Sequence, residues 1–190
     1  MTAEAVLVTG VHAEELEFGD RVSRRLEPSG GLETLRIPEG VPQRCDDVEQ
    51  QFRYETRQRE LYLQLHQQVK GRFGLLIDLH SGYDESGTSA DVYCRDPALL
   101  DCVGCQVRDI RLRHRVRLLR IVAPGERAGV PTGRIEAAAR TRIPPVIWEH
   151  DKPVYVGLEI YLPDRRDGRR DGEVLAQRLI EILQRCHADH

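Results

Sequence analysis

Short apolar runs and longer amphipathic stretches alternate along the chain. "EAVLVTG", residues 4–10, is continuously apolar and closes on turn formers, the mark of a buried strand. In "HAEELEFGDRVSRRLE" the apolar Leu16, Val22 and Leu26 fall at roughly helical spacing, and acidic residues crowd the first turn, where they suit the helix dipole. "LETLRI" predicts a second strand, and "PEGVPQRCDD" has the Pro and Gly of a loop. Residues 48–73 form the longest helical pattern, with Phe52, Leu61, Leu65 and Val69 near one stripe and Gly71 as a stop. "GLLIDLHSG", "ADVYC", "VRLLRIV", "PPVIWEH" and "VYVGLEIYL" predict further strands. "GERAGVPTGR" reads as a connection and "PDRRDGRRDG", residues 163–172, as an exposed loop. "GEVLAQRLIEILQRC" closes the chain as a helix whose stripe is Val174, Leu175, Leu179, Ile182 and Leu183. Strands alternating with helices predict an α/β fold, a mainly parallel or mixed sheet with helices on both faces.

A chain of 190 residues fits one domain and buries a sizeable core without disulfides. The net charge of −3 calls for neither nucleic acid nor an anionic membrane as partner. The basic residues are 26 Arg and 2 Lys, densest in "RDIRLRHRVRLLR", which reads as a solvated face. No apolar run approaches the roughly 18–20 residues of a membrane span, and no basic segment opens a secretory signal. The expectation is a soluble cytoplasmic protein. Among five cysteines, Cys102 and Cys105 form a lone C-x-x-C. Structural zinc takes four ligands, so the pair reads as structural or incidental, with a redox pair or disulfide as alternatives.

Candidate chemistry gathers at strand ends, where open α/β sheets bind ligands. His12 and Glu15 follow the first strand, three residues apart and so able to share a helix face. His80 closes "LLIDLH", and Glu159 lies in the apolar strand "VGLEIYL". Two imidazoles and a carboxylate suit zinc, and three protein ligands leave its fourth position for water. A carboxylate must then take a proton and deliver it to a leaving nitrogen. Glu159 fits, because a Glu in an apolar strand is costly to bury without a role. Asp78 points to the same face as His80, two residues on, and is placed to orient it, with a salt bridge as the alternative.

In this order the motifs "GVHAEE", "IDLHSG" and "VGLEIYLP" resemble the zinc carboxypeptidase superfamily, most closely its succinylglutamate desuccinylase/aspartoacylase branch. "YETRQRELYLQL" and the closing helix also resemble that branch, so the likeness spans most of the chain. The resemblance implies a zinc-carboxypeptidase-like α/β fold. It implies zinc held by His12, Glu15 and His80, with Glu159 as general acid/base. It further implies hydrolysis of an amide in a small-molecule substrate, an N-acyl amino acid or small peptide. The branch holds substrate with an Asn-Arg pair; this chain contains no Asn, which leaves Arg44 or Arg53 as the basic half. Where aspartoacylases place a substrate-gripping Arg, this chain has Glu149. That substitution predicts a preference for neutral or basic substrates unless an Arg such as Arg142 pairs with it. Aspartoacylases continue into a C-terminal β-rich domain, so residues 1–190 are expected to form the catalytic domain alone. The rival reading is a metal-binding or interaction protein that kept the fold and lost turnover.

Overall fold

The structure, a computed structural model, describes residues 4–26, 31–42, 47–109, 116–126, 135–150, 152–163 and 166–189. Seven strands form one mixed sheet: β1 (Ala5–Thr9), β2 (Leu32–Arg36), β3 (Leu75–Tyr83), β4 (Ser89–Cys94), β5 (Val116–Ile121), β6 (Ala137–Ala139) and β7 (Val154–Leu162), in spatial order β2-β1-β3-β7-β4-β5-β6. β1, β2, β3 and β7 run parallel. β4 joins β7 antiparallel, and β5 and β6 follow β4 in parallel. The helices are α1 (Leu16–Leu26), α2 (Val48–Val69), α3 (Pro97–Asp109), α4 (Pro145–Trp148) and α5 (Arg166–Ala188).

Alternate residues of each strand feed two cores. Leu75, Ile77, Leu79, Val156, Leu158 and Ile160 meet the apolar faces of α1, α3 and α5. Val6, Val8, Leu76 and Tyr155 meet α2 and α4 on the other side. Helices therefore cover both faces, as the pattern predicts. That double burial is why "LLIDL" reads as an unbroken apolar run rather than an alternating one. Among the described residues no helix is long and apolar enough to cross a membrane.

Three expectations change, and one helix was not foreseen. "PPVIWEH" is a short helix and not a strand, since Pro144 and Pro145 lack ladder N–H groups and Pro145 sits in its first turn. Helix α5 begins inside the stretch expected as a loop, at Arg166. Glycine permits this: a Cβ at Gly172 would lie 2.2 Å from Leu162, so the helix closes directly onto the end of β7. Helix α3 is marked by Asp96-Pro97, with the Asp96 carboxylate accepting from the Ala98 amide at 2.8 Å. On α2 the buried stripe begins only at Tyr62, and Phe52 is exposed.

The cysteines also pair differently. Cys102 bonds Cys186, 84 residues away, and ties α3 to α5, while Cys105 is free and exposed. Within C-x-x-C no bond forms. The disulfide lies among the α1, α3 and α5 core residues, on the face opposite α2. Closing so long a loop is worth about 2–4 kcal/mol. Replacing Cys102 and Cys186 together by Ser should lower the stability to denaturant by that amount and leave any bound metal in place. Metal loss at native pH in the folded variant would contradict the separation of the two faces.

Candidate metal centre and its cleft

β1 and β3 are parallel neighbours with Thr9 opposite Leu79. The segment after β1 therefore meets the end of β3 at the sheet's carboxyl edge. His12 comes just after a turn at Gly10, and Glu15 ends the 3₁₀ turn Ala13–Glu15 that opens α1. His12 Nδ1 lies 2.9 Å from Glu15 Oε1, and His80 Nδ1 lies 2.9 Å from Glu15 Oε2. The donor atoms of His12, Glu15 and His80 all fall within 4.8 Å of one another. Each imidazole is held from behind. His12 Nε2 is 3.0 Å from the Tyr54 hydroxyl. His80 Nε2 is 3.1 Å from Asp78 Oδ2.

Asp78 is wholly buried, and the same oxygen accepts the hydroxyls of Tyr62 at 2.7 Å and Tyr155 at 3.0 Å. Burial alone would push its pKa up, but the His80 charge and these hydrogen bonds hold the carboxyl below its usual value. An ionised Asp78 keeps the Nε2 proton of His80 and aims Nδ1 at Glu15. Two acceptors 2.9 Å apart need a cation between them. In the protein alone it is a proton: burial disfavours the charged ring, yet Asp78 and Glu15 raise the His80 pKa well above its ordinary range. Burial likewise opposes ionisation of Glu15, and its bonds to both histidines overcome this. A nitrogen–nitrogen–oxygen set whose outer atoms are already oriented fits a zinc ion.

Glu159 stands directly opposite His80 in the β3–β7 register. Burial pushes its pKa up to about 7, the imidazoles drawing it down and the charges of Glu15 and Asp78 raising it. Both residues open into a cleft of about 310 Å³ over the α2 face of the sheet. One wall is α2, with Tyr54, Gln58 and Tyr62; Tyr93 and Glu159 line it from the sheet; the far wall is the segment Arg140–Ile143. Arg142 reaches back to Glu55 of α2 at 3.1 Å.

Of the expected substrate residues, Arg53 and Glu149 are not in this cleft. Arg44 lies outside the described residues. Arg53 is exposed on α2 and paired with Glu49 one turn away. Glu149 caps α4 and lines a separate depression of about 290 Å³, 3.8 Å from Arg95. Its partner is Arg95 rather than Arg142. Reasoning from sequence missed Tyr54, Gln58, Arg140 and Arg142. The spacing of Tyr54, Gln58 and Tyr62, four residues apart on α2, was the available signal.

No family model matches the chain, and no curated protein matches it significantly. Solved structures do. Murine aminoacylase 3 superposes with a TM-score of 0.51 at 12% identity, over 96% of this chain and 65% of that one. The two share the α/β fold, a mixed sheet with helices on both faces. The chain thus spans slightly less than two thirds of the aminoacylase. The catalytic domain of the CD27L endolysin targeting Clostridia difficile gives 0.51 at 11% identity, over 100% of this chain and 98% of that one. The zinc-free apo form of YNDL gives 0.50 at 10% identity, over 94% and 84%.

Proposed function

We propose that the chain is a zinc-dependent hydrolase that cleaves an amide bond in an N-acyl amino acid or small peptide. The observation that carries this reading is the meeting of His12, Glu15 and His80 at one end of a cleft, with Glu159 beside them. Support comes from the fold shared with an aminoacylase and an endolysin catalytic domain, and from a relative whose apo form is named by its lack of zinc. When bound, zinc supplies Lewis acidity that polarises a carbonyl and acidifies water. Glu159, with a proton affinity near neutrality, takes the water proton and delivers it to the leaving nitrogen. Asp78 holds the His80 ring and its tautomer throughout.

Metal analysis alongside a screen of N-acyl amino acids and dipeptides tests the reading. About one zinc per chain with chelator-sensitive turnover is the expected result. Zinc without turnover across the panel supports the rival binding module, and absence of zinc overturns the metal centre.

The cleft also reverses the expected substrate sign. Glu149 faces elsewhere, whereas Arg140 and Arg142 line the far wall. A substrate carrying a carboxylate is therefore preferred. Arg142 is already paired with Glu55, whereas Arg140 is solvated and worth about 1 kcal/mol, roughly fivefold. Arg140→Gln should raise KM for an N-acyl amino acid by about that factor and leave its carboxamide, which lacks the carboxylate, unchanged. Equal effects on both substrates, or a wild type that prefers basic ones, would count against this assignment.

A further inference from the structure

A polar row crosses four strands on the α2 side of the sheet. His80 faces Glu159, Glu159 faces Asp91, and Asp91 faces Arg117. The last two residues have no part in the chemistry above. Asp91 is 2% exposed, so its charge must be neutralised where it stands. Arg117 does this with a fork, Nε at 2.6 Å and Nη2 at 2.5 Å from the two carboxylate oxygens. Two phenols complete the set, Tyr93 donating to Asp91 Oδ2 at 3.0 Å and Tyr161 at 3.3 Å.

Tyr161 links this cluster to Glu159. It lies two residues further along β7, on the same face, and opposite Gly82 of β3. A Cβ built on Gly82 would stand 3.0 Å from Glu159 Oε1 and 3.0 Å from the Tyr161 ring. Carboxylate and ring thus both border the space over the bare backbone of Gly82. No hydrogen bond from a described residue holds the Glu159 carboxylate, so its orientation depends on what it packs against.

We infer that Tyr161, fixed by the Asp91–Arg117 pair, is a positioning residue that sets where the Glu159 carboxylate sits. The inference rests on the hydrolase reading of the site. A purely stabilising role explains the cluster less well. An apolar residue at position 91 would fill the same space without burying a charge, and such replacements of buried ion pairs are often neutral or stabilising. What the polar cluster adds is a tethered phenol with one fixed ring orientation beside the candidate base.

The test uses the zinc-loaded full chain with Tyr161→Phe, Asp91→Asn, Arg117→Gln and the double variant Tyr161→Phe/Asp91→Asn. Misplacing a reacting group by about 1 Å costs on the order of a hundredfold. Each single change should lower kcat by about ten- to a hundredfold, with KM and zinc content unchanged. The double variant should be no worse than Asp91→Asn alone, because both cut the same tether. Free guanidinium should restore part of the Arg117→Gln rate. A second readout needs neither zinc nor turnover: carbodiimide labelling of Glu159 in the metal-free protein, read by mass spectrometry, should run several-fold faster in each variant. Unchanged kcat with unchanged labelling overturns the inference. So does a loss of kcat accompanied by loss of zinc and raised KM, which marks a structural role. If Asp91→Asn does not fold, Tyr161→Phe removes a single oxygen and carries the test. A wild type inert toward every amide tried defeats the hydrolase reading, and labelling alone then decides the positioning: acceleration upholds it and an unchanged rate overturns it.

Discussion

Glu159→Gln should keep its zinc and lose turnover by about two to four orders of magnitude, the usual worth of a general acid/base. Glutamine preserves the size of the side chain over Gly82 while removing its ability to accept a proton. The ligand atoms of His12, Glu15 and His80 are untouched, so metal analysis should match the wild type. The pH profile gives the sign of the effect. A base must be ionised to act, so kcat/KM rises with pH through the Glu159 pKa and levels off above it. Burial places that pKa at about 7 in the protein alone, and a nearby cation favours the ionised form. The acid limb should therefore have its midpoint at or below neutrality in the zinc enzyme, and the residual rate of the Gln variant should lack it. A variant with the wild-type rate, or one that keeps the same limb, would remove Glu159 from the mechanism.

Legibility in the sequence depended on the kind of force involved. His12, Glu15 and His80 were legible because strand ends are local events: an apolar run stops, and a polar residue comes next at the sheet's edge; Glu159 was legible as a lone carboxylate inside an apolar strand. Parallel pairing of β1, β3 and β7 then brings those ends together without further instruction. The second wall of the cleft was not legible. Arg140 and Arg142 reach the site because the segment after β6 returns over the sheet toward Glu55, a tertiary path that no periodicity records. Glu149 was misplaced for a related reason. Counting back along the chain assumed a strand, whereas Pro144 and Pro145 set a helical turn there that carries the carboxylate to Arg95. The Cys102–Cys186 bond was hidden by the nearer Cys105, since helix α3 presents Cys102 to α5 and Cys105 to solvent. The glycine-rich start of α5 looked like a loop because intrinsic propensity disfavours glycine in helices. Close approach to Leu162 overrides that preference.

His12→Ala should strip most of the zinc, whereas Asp78→Asn should keep it at an affinity about 10- to 100-fold weaker. The two residues act at different distances from the ion. In the proposed site His12 is one of three ligand groups among the described residues, so its loss would remove a bond outright. Asp78 touches only the far nitrogen of His80, 3.1 Å away, and works by fixing the tautomer and the ring. Proton linkage separates this from a general loss of fold. In the metal-free protein Asp78 and Glu15 keep His80 protonated well above its usual range, so zinc at neutral pH must displace that proton. Affinity should then rise by about tenfold per pH unit for each proton displaced, until the pH passes the His80 pKa. Neutral Asn at position 78 lowers that pKa by removing the adjacent charge. The variant should accordingly release fewer protons on binding zinc at neutral pH and show a flatter pH dependence. Calorimetry in buffers of different ionisation enthalpy reads both quantities. An Asp78→Asn protein with wild-type affinity and wild-type proton release would show that Asp78 is merely a buried partner of Tyr62 and Tyr155. A His12→Ala protein that retains one tightly bound zinc would place the metal elsewhere.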